Sequence, residues 1–330
     1  MCPAWSKIDR RFVEVDESKL FEIAARKAIA NKLHLPRWTE KGVLPQNARA
    51  FASHVFFHNA VNFCYTDPEG KERETFTVEY GRRTFYGAMA MAVCFYRSFG
   101  EKRLTVQDIW RHVRTEAAFK RFFDGKNRIP LLKERRTLLT ESLEVLSAFF
   151  DGDPFNVFEA GGFRAFGRNG QPGIVDLLVK HFPLAFGQDT AELDGRRFYF
   201  LKRPQLMVLE YHGRVSYKSD GIKPIEDVER LGAICDYELP KSYIADGIFR
   251  VRGDLLSRIR NRQPLLAGSR EEIEMRGATY YAILKEVEAV NLVRTKIGLP
   301  PVHVGHIDYQ RWMRGQKISE PHMLVETTNY

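Results

Sequence analysis

Apolar residues in this chain recur mainly at the three- and four-residue spacing of an α-helix, and this pattern excludes most other fold classes. The clearest example starts at Thr105, which forms a capping-box pattern with Asp108 and is followed by an apolar stripe as far as Ala117. A second stripe runs from Leu132 to Phe150. The sequence has no repeated strand–helix–strand pattern, which argues against a doubly wound nucleotide-binding sheet. We therefore predict a mainly α-helical fold.

Shorter periodic segments complete this prediction. Further helices are expected at 16–35, 45–63, 87–99, 174–182, 204–211, 246–259, 270–295 and 308–314. Apolar and polar residues alternate at 75–85 around Gly81, which predicts a small β-hairpin, and a brief strand is expected at 198–200. Strand is therefore a minor component of the expected fold.

The glycine-rich segment 151–173 is the one candidate for a domain boundary. It could separate two lobes, 1–150 and 174–330. The helices on its two sides do not differ in composition, so we expect a single helical domain spanning 1–330. A length of 330 residues, 44% of them hydrophobic, is enough for a core of that size.

The formal net charge of +9 favours anionic partners such as phosphates. Two basic clusters, 126–136 and 250–262, alternate with leucine and isoleucine at helical spacing, which indicates solvated helix faces rather than a nucleic-acid surface. No apolar run approaches the roughly 18 residues that cross a bilayer. Segment 1–11 is polar and charged, unlike a secretory signal. We therefore expect a cytoplasmic protein without membrane contact.

Several catalytic motifs are missing from the sequence. There is no GxxxxGK[ST] loop, no GxGxxG that opens a helix, no GxSxG elbow and no HExxH pair. The four cysteines (Cys2, Cys64, Cys94 and Cys235) form no CxxC pair and have no zinc-finger spacing. We expect reduced thiols, and no serine- or zinc-dependent hydrolysis.

Two neighbouring segments combine cations with carboxylates. Lys202 and Arg203 open an apolar helical segment that ends at Glu210, and Asp236 follows one loop and one helix later. Cations suit a phosphate, and carboxylates suit a developing positive charge. A plainer interpretation stays open for each acid, because Asp236 could cap a turn and Asp308 could be the N-cap of the last helix.

Other polar residues can also be interpreted either as substrate-binding or as structural. Asn62 and Phe63 place an amide beside a ring, which suits a nucleobase, although a capping asparagine before core aromatics would look the same. His54 and Trp312 are further candidates for substrate binding. The pair of Glu274 and Arg276 could be an ordinary structural ion pair.

The order of these segments along the chain is more specific than any one of them. They are Asn62-Phe63, the hairpin with Gly87, Pro130-Leu131-Leu132-Lys133-Glu134-Arg135, Phe182-Pro183, Lys202-Arg203-x-Gln205, Asp236-Tyr237-x-x-Pro240, Glu272-x-Glu274-x-Arg276-Gly277, Ile307-Asp308-x-x-x-Trp312, and His322 with Tyr330. This ordered set resembles the queuosine salvage family, the queuosine 5′-phosphate N-glycosylases. The resemblance runs from about residue 45 to the C-terminus.

The resemblance implies a mostly helical fold related to the DNA glycosylases. It also implies hydrolysis of the ribosyl C–N bond of queuosine 5′-monophosphate, with release of queuine for tRNA modification and without a metal or organic cofactor. The chain departs from the family pattern in four places. Thr66 stands for a tryptophan, Ala88-Met89 stands for Tyr-Trp, Leu209-Glu210 stands for Ala-Asp, and the arginine of a C-terminal His-x-x-Arg is missing, with Val325 and Glu326 nearby. We therefore expect a glycosidase site with an altered base pocket.

The resemblance and the residue chemistry together assign roles. Asp236 or Glu210 would stabilise the sugar cation and activate water, and Asp308 would contact the base or its amine. The expected binding residues are Asn62, Phe63 and Tyr237 for the base, Lys202, Arg203 and Lys241 for the 5′-phosphate, and His54 and Trp312.

Two other functions stay open. A nucleic-acid base glycosylase would fit the positive charge, and segment 299–305 is superficially similar to the hairpin of DNA glycosylases. That hairpin needs glycines where Pro301 and His303 stand, so direct nucleic-acid binding is not favoured. The third possibility is a non-catalytic protein that binds a deazapurine or a nucleotide.

Overall fold

The computed structural model describes Trp5, residues 7–67 and residues 74–330. The described part is mainly helical, which confirms the predicted class. The α-helices are α1 Glu17–Ala30, α2 Ala48–Ala60, α3 Gly87–Phe99, α4 Val106–Val113, α5 Glu116–Phe122, α6 Leu132–Phe149, α7 Phe155–Ala160, α8 Ile174–His181, α9 Lys202–Tyr217, α10 Glu238–Ala245, α11 Leu255–Arg260, α12 Arg270–Lys296 and α13 Val304–Gly315. A π-helical turn, Pro183–Gly187, and a 3-10 turn, Val228–Arg230, complete the set.

The strands form three separate antiparallel pairs. Their bounds are β1 Val13–Val15, β2 Thr77–Tyr80, β3 Arg83–Tyr86, β4 Thr190–Leu193, β5 Arg196–Tyr199 and β6 Phe249–Val251. Pairing of β2 with β3 confirms the predicted hairpin, and Gly81 supplies its turn with φ +63°. The expected brief strand belongs to a second hairpin, β4–β5. The third pair joins β1 to β6 and was not predicted.

Two helix predictions are wrong. The stripe that begins at Thr105 divides into α4 and α5, because the Thr115 side chain accepts a hydrogen bond from the Ala118 N–H and starts a new helix. The helix expected at 246–259 is replaced by β6 and α11. Gly247 and Gly253 have φ +67° and +66°, a left-handed backbone that interrupts a helix on both sides of β6.

The buried apolar residues form two clusters. One surrounds α2, α3, α6, α8 and α9, and the other surrounds α1, α10, α12 and α13. Segment 231–237 lies between them, since Leu231 and Ile234 pack in the first cluster while Ala233 and Cys235 pack in the second. Asp236 is therefore at the junction of the two clusters. The assignment of 1–330 to one domain stays a prediction.

A buried ion-pair network holds the second cluster together. The Glu286 carboxylate accepts hydrogen bonds from Lys27 Nζ at 2.6 Å, Arg311 Nε at 2.8 Å and Tyr243 Oη at 3.0 Å. These four residues come from α12, α1, α13 and α10. One carboxylate thus connects four helices.

Cys64, Cys94 and Cys235 are buried free thiols, in agreement with the expectation of reduced cysteines, whereas Cys2 lies outside the described residues. None of the helices in the described ranges has the length and apolar character needed to span a bilayer. Within the same ranges, no group of three or more histidine, cysteine or acidic residues is arranged to hold a metal ion.

Candidate active site

Glu210, Asp236 and Asp308 line one cavity at the junction of the two apolar clusters. The wall is built by α2, α3, α9, α13, segment 231–237 and residues 36–44 between α1 and α2. The described lining residues are Pro36, Trp38, Val43, Leu44, Phe51, His54, Val55, His58, Asn62, Ala88, Met89, Ala92, Phe95, Lys202, Leu206, Leu209, Glu210, Ile234, Asp236, Asp308, Tyr309 and Trp312. Three acids far apart in sequence therefore meet in a largely apolar cavity.

The start of α9 is fixed by a buried ion pair. Leu201 adopts a left-handed backbone with φ 49°, and the Lys202 N–H donates to the Asp189 carboxylate at 2.9 Å. Arg276 holds the same carboxylate with two hydrogen bonds of 2.7 and 2.9 Å. The guanidinium lies over the rings of Phe200 and Tyr330, 4.0 and 4.1 Å from their centroids. This set determines where the Lys202 side chain enters the cavity.

Lys202 and Asp236 form the charged pair of the site. The Lys202 ammonium is 3.3 Å from Asp236 Oδ2 and 3.3 Å from the Asn62 carbonyl oxygen, and its side chain is only 2% exposed. Asp236 Oδ1 accepts the Glu238 N–H at 3.0 Å, at the start of α10. One oxygen of Asp236 thus caps a turn, as the plainer interpretation expected, and the other faces the lysine.

Glu210 is buried on α9, and one of its oxygens already has a partner. Its Oε2 accepts a hydrogen bond from Asn59 Nδ2 at 2.5 Å. Burial raises the pKa of Glu210 to about 7, while the Asn59 hydrogen bond and the Lys202 charge act in the opposite direction. This carboxyl therefore changes its protonation state near neutral pH.

Asp308 lies inside α13, so its interpretation as an N-cap is wrong. The N-cap is His303, whose Nδ1 accepts the Gly305 N–H. Asp308 Oδ2 accepts the Ile234 N–H at 3.0 Å. Burial raises the pKa of Asp308 well above its usual range, and the nearby Asp236 adds to this effect. This shift favours the protonated form of the Asp308 carboxyl, which is the form that can donate a hydrogen bond.

The predicted binding residues divide into two groups. Asn62, His54, Trp312 and Lys202 line the cavity. His54 Nε2 lies 3.0 Å from the Lys102 carbonyl oxygen, and burial lowers the His54 pKa to about 4, so this ring is neutral at pH 7.

The second group lies behind the lining. Arg203 donates to the Ala60 carbonyl oxygen and lies over the Phe63 ring, 5.2 Å from its centroid. The Tyr237 ring packs against the His322 ring, with centroids 4.2 Å apart and the ring planes tilted by 33°. The Lys241 ammonium is 2.9 Å from a Glu238 carboxylate oxygen. These side chains support the wall, and the contacts expected between them and a substrate stay predictions.

The expected Glu274–Arg276 pair is wrong. Residues two apart on a helix point in different directions, and Arg276 pairs with Asp189 instead. Glu274 Oε2 accepts the Phe12 N–H at 2.7 Å and so holds the entry to β1. Both members of the motif are structural.

Sequence reasoning missed Asn59, the hydrogen-bond partner of Glu210, and several residues that line the cavity. Asn59 had a weak signal, because it interrupts an apolar helix three residues before Asn62 and on the same face. Trp38 and Tyr309, whose ring centroids are 6.2 Å apart, had none, since they are distant in sequence.

Comparison with known proteins places these residues in a family. A family profile described as queuosine salvage protein matches residues 43–329. The chain belongs to the queuosine salvage protein family. The matched span contains all three cavity carboxylates as well as Asn59, Asn62 and Lys202. The predicted family is therefore confirmed.

Several named relatives are similar at low identity over most of their length. A protein of Sphaerobacter thermophilus named queuosine 5′-phosphate N-glycosylase/hydrolase is 27% identical over 315 residues, which cover 94% of this chain and 91% of the relative. A Mus musculus protein of the same name is 26% identical over 262 residues, covering 78% and 74%. One from Bos taurus is 24% identical over 279 residues, which cover 80% of this chain and 75% of the relative.

Proposed function

We propose that this protein hydrolyses the ribosyl C–N bond of queuosine 5′-monophosphate, or of a related 7-deazaguanine nucleotide, and releases the free base for salvage. The observation that carries the proposal is the meeting of Glu210, Asp236 and Asp308 in one cavity of a queuosine salvage family member. The names of the relatives, queuosine 5′-phosphate N-glycosylase/hydrolase, support the same reaction.

Breaking this bond places positive charge on the ribose, so the site must supply negative charge near C1′. Asp236 stabilises that charge, and the adjacent Lys202 keeps its carboxylate oriented. Glu210 accepts the proton of the attacking water. Its pKa of about 7 suits this role, because a general base is most effective when its pKa is close to the working pH.

The leaving base needs a different partner. Position 7 of a deazaguanine is carbon, so the enzyme cannot protonate the leaving group there. In its protonated form, which the raised pKa favours, the Asp308 carboxyl donates its proton to another edge of the base, as carboxyls with raised pKa values do in other enzymes.

The bond changes balance across these three groups. The water oxygen bonds to C1′ while its proton passes to Glu210. The base leaves with the electron pair of the C–N bond and takes the proton of Asp308. Release of one proton by Glu210 to solvent, and uptake of one by Asp308, restores the starting state.

The decisive assay incubates the purified protein with queuosine 5′-monophosphate, queuosine and ordinary nucleotides, and detects free base by mass spectrometry. Asp236→Asn is expected to lower kcat by about 10³-fold or more with the fold intact, because the amide cannot stabilise the sugar cation. Asp16→Asn is the matched control. Asp16 is the N-cap of α1, outside the cavity lining, and asparagine caps a helix equally well.

Near-normal turnover by Asp236→Asn would remove this carboxylate from the mechanism. Base release from oligonucleotides alone, with steep salt dependence, would instead select the nucleic-acid glycosylase that the net charge of +9 favours. Tight binding without base release would select a non-catalytic binder.

A further inference from the structure

A chain of side-chain hydrogen bonds starts at Glu210 and passes through Asn59 and Asn62, the second of which lines the cavity, to Tyr65. Asn59 Nδ2 donates to Glu210 Oε2 at 2.5 Å and also to the Val55 carbonyl oxygen at 3.0 Å. Asn62 Nδ2 donates to Asn59 Oδ1 at 3.2 Å. Tyr65 Oη donates to Asn62 Oδ1 at 2.9 Å. The three side chains behind Glu210 are all buried.

The direction of every bond in this chain follows from one backbone group. A carbonyl oxygen only accepts, so the Asn59 atom that faces Val55 must be the NH₂ group. Asn59 Oδ1 is then the acceptor for Asn62, and Asn62 Oδ1 is the acceptor for Tyr65. Asn59 therefore presents a donor to Glu210 and cannot rotate its amide without breaking two other bonds.

The far end of the chain is anchored by a buried cation. The Arg135 guanidinium lies 5.3 Å from the centroid of the Tyr65 ring and donates to the Cys64 carbonyl oxygen at 2.8 Å and to the Pro130 carbonyl oxygen at 2.9 Å. Arg135 is fully buried. The asparagine pair is thus held between a fixed tyrosine and the cavity.

We propose that Asn59 is a positioning residue that favours the ionised form of Glu210 and holds its carboxylate in one orientation toward the cavity. This proposal rests on the proposed function, in which Glu210 is the general base. A fixed N–H donor stabilises a carboxylate more than a neutral carboxyl, because the hydrogen bond to the charged form is stronger.

Other groups that face Glu210 cannot substitute for this donor. Lys202, on the same helix, is the one lysine or arginine among the described lining residues, and Asp236 shares its charge. Burial lowers the pKa values of His54 and His58 to about 4, so both rings on α2 are neutral at pH 7. The Asp236 and Asp308 carboxyls in the other walls, and the Tyr65 hydroxyl bonded to Asn62, supply no positive charge.

The test is Asn59→Leu, which keeps the approximate size of the side chain and removes the donor. The dependence of kcat on pH is measured with queuosine 5′-monophosphate. In the unmodified protein we expect kcat to fall on the acidic side of about pH 7, where Glu210 becomes protonated. In Asn59→Leu this acidic limb of the kcat–pH profile should move upward by about one to two pH units. Most of the kcat should return at high pH, with little change in KM. A purely structural role predicts the same loss at every pH.

Asn291→Leu is the matched control. Asn291 is also a helical asparagine with both amide ends in use, since it donates to the Val302 carbonyl oxygen and accepts the Val302 N–H, each at 2.8 Å. It lies outside the cavity lining. The acidic limb of the kcat–pH profile of Asn291→Leu should coincide with that of the unmodified protein.

A second measurement separates this inference from the proposed function. Infrared difference titration, with Glu210→Gln as reference, follows the Glu210 carboxyl without turnover. An unchanged midpoint in Asn59→Leu would overturn the positioning role even if the protein hydrolyses the nucleotide. A shifted midpoint without base release would support the role of Asn59 and reject the proposed reaction. If Asn59→Leu does not fold, Asn59→Asp is measured instead. This change places a second carboxyl beside that of Glu210, and we expect their repulsion to raise the midpoint of the Glu210 titration further.

Discussion

At the scale of single residues, the site keeps Glu210 in an environment that penalises its charge. Its pKa of about 7 in the folded chain is above the ordinary value of 4.5. The folded state therefore binds this proton more tightly than the unfolded state does. The loss of folding stability caused by ionising the buried Glu210 grows as pH rises from 4.5 to 7 and is constant above that range.

Glu210→Gln should remove this penalty. We expect the variant to be inactive, yet more stable than the unmodified protein by about 3 kcal/mol at pH 8, with most of the gain lost at pH 5. Urea denaturation at the two pH values measures the difference. An equal change in stability at pH 5 and pH 8 would show that the charge of Glu210 is not the cause.

The acids of the site could be predicted from the sequence, but their supports could not. Glu210, Asp236 and Asp308 stand in segments whose order resembles a known family. Asn59 and Glu210 are 151 positions apart, and Asp189 and Arg276 are 87 apart. Neither contact leaves a local pattern, because each depends on how distant elements pack.

At the scale of elements, the start of α9 depends on the pair of Asp189 and Arg276. Arg276→Met leaves the Asp189 carboxylate buried without its cation, and we expect a loss of about 3–5 kcal/mol of stability. A lower kcat should accompany it, since Asp189 also holds the N–H of Lys202. Urea denaturation and the base-release assay measure the two effects.

Two further variants check this explanation. Asp189→Asn combined with Arg276→Met should recover part of the stability, because the double change leaves no buried charge. Arg26→Met breaks an exposed pair with Glu22 on α1 and should cost about 1 kcal/mol or less. If the double variant is as unstable as Arg276→Met, the unpaired charge is not the reason.

Helices with local signals were predictable, and elements that pair over long distances were not. The expected helix at 87–99 coincides with α3, and Thr105 and Asp108 form the capping box of α4. By contrast, β6 pairs with β1, which is distant in the sequence, so that Arg250 faces Glu14. The apolar residues at 246–259 fit helical spacing, and the distant partner, together with the left-handed backbone at Gly247 and Gly253, makes residues 249–251 a strand.

At the scale of the whole molecule, the cavity lies where two apolar clusters meet, so its geometry depends on how the helices of each cluster are held. Glu286 connects four helices of the second cluster. Glu286→Gln leaves Lys27 and Arg311 without their shared carboxylate, and we expect it to cost about 3–5 kcal/mol.

Urea denaturation followed by both tryptophan fluorescence and circular dichroism measures this loss. Coincident transitions that move together would also support the prediction of one domain spanning 1–330. A second transition unaffected by Glu286→Gln would show instead that the two clusters unfold independently.

Cys235 precedes Asp236 on the segment between the two clusters, and its thiol is buried. Burial also raises its pKa well above the usual range, so it is unreactive while that segment stays packed. A thiol reagent can modify it only when the backbone beside Asp236 opens. The rate of that modification therefore reports how often this segment of the cavity wall opens. We expect a bound substrate to lower the modification rate.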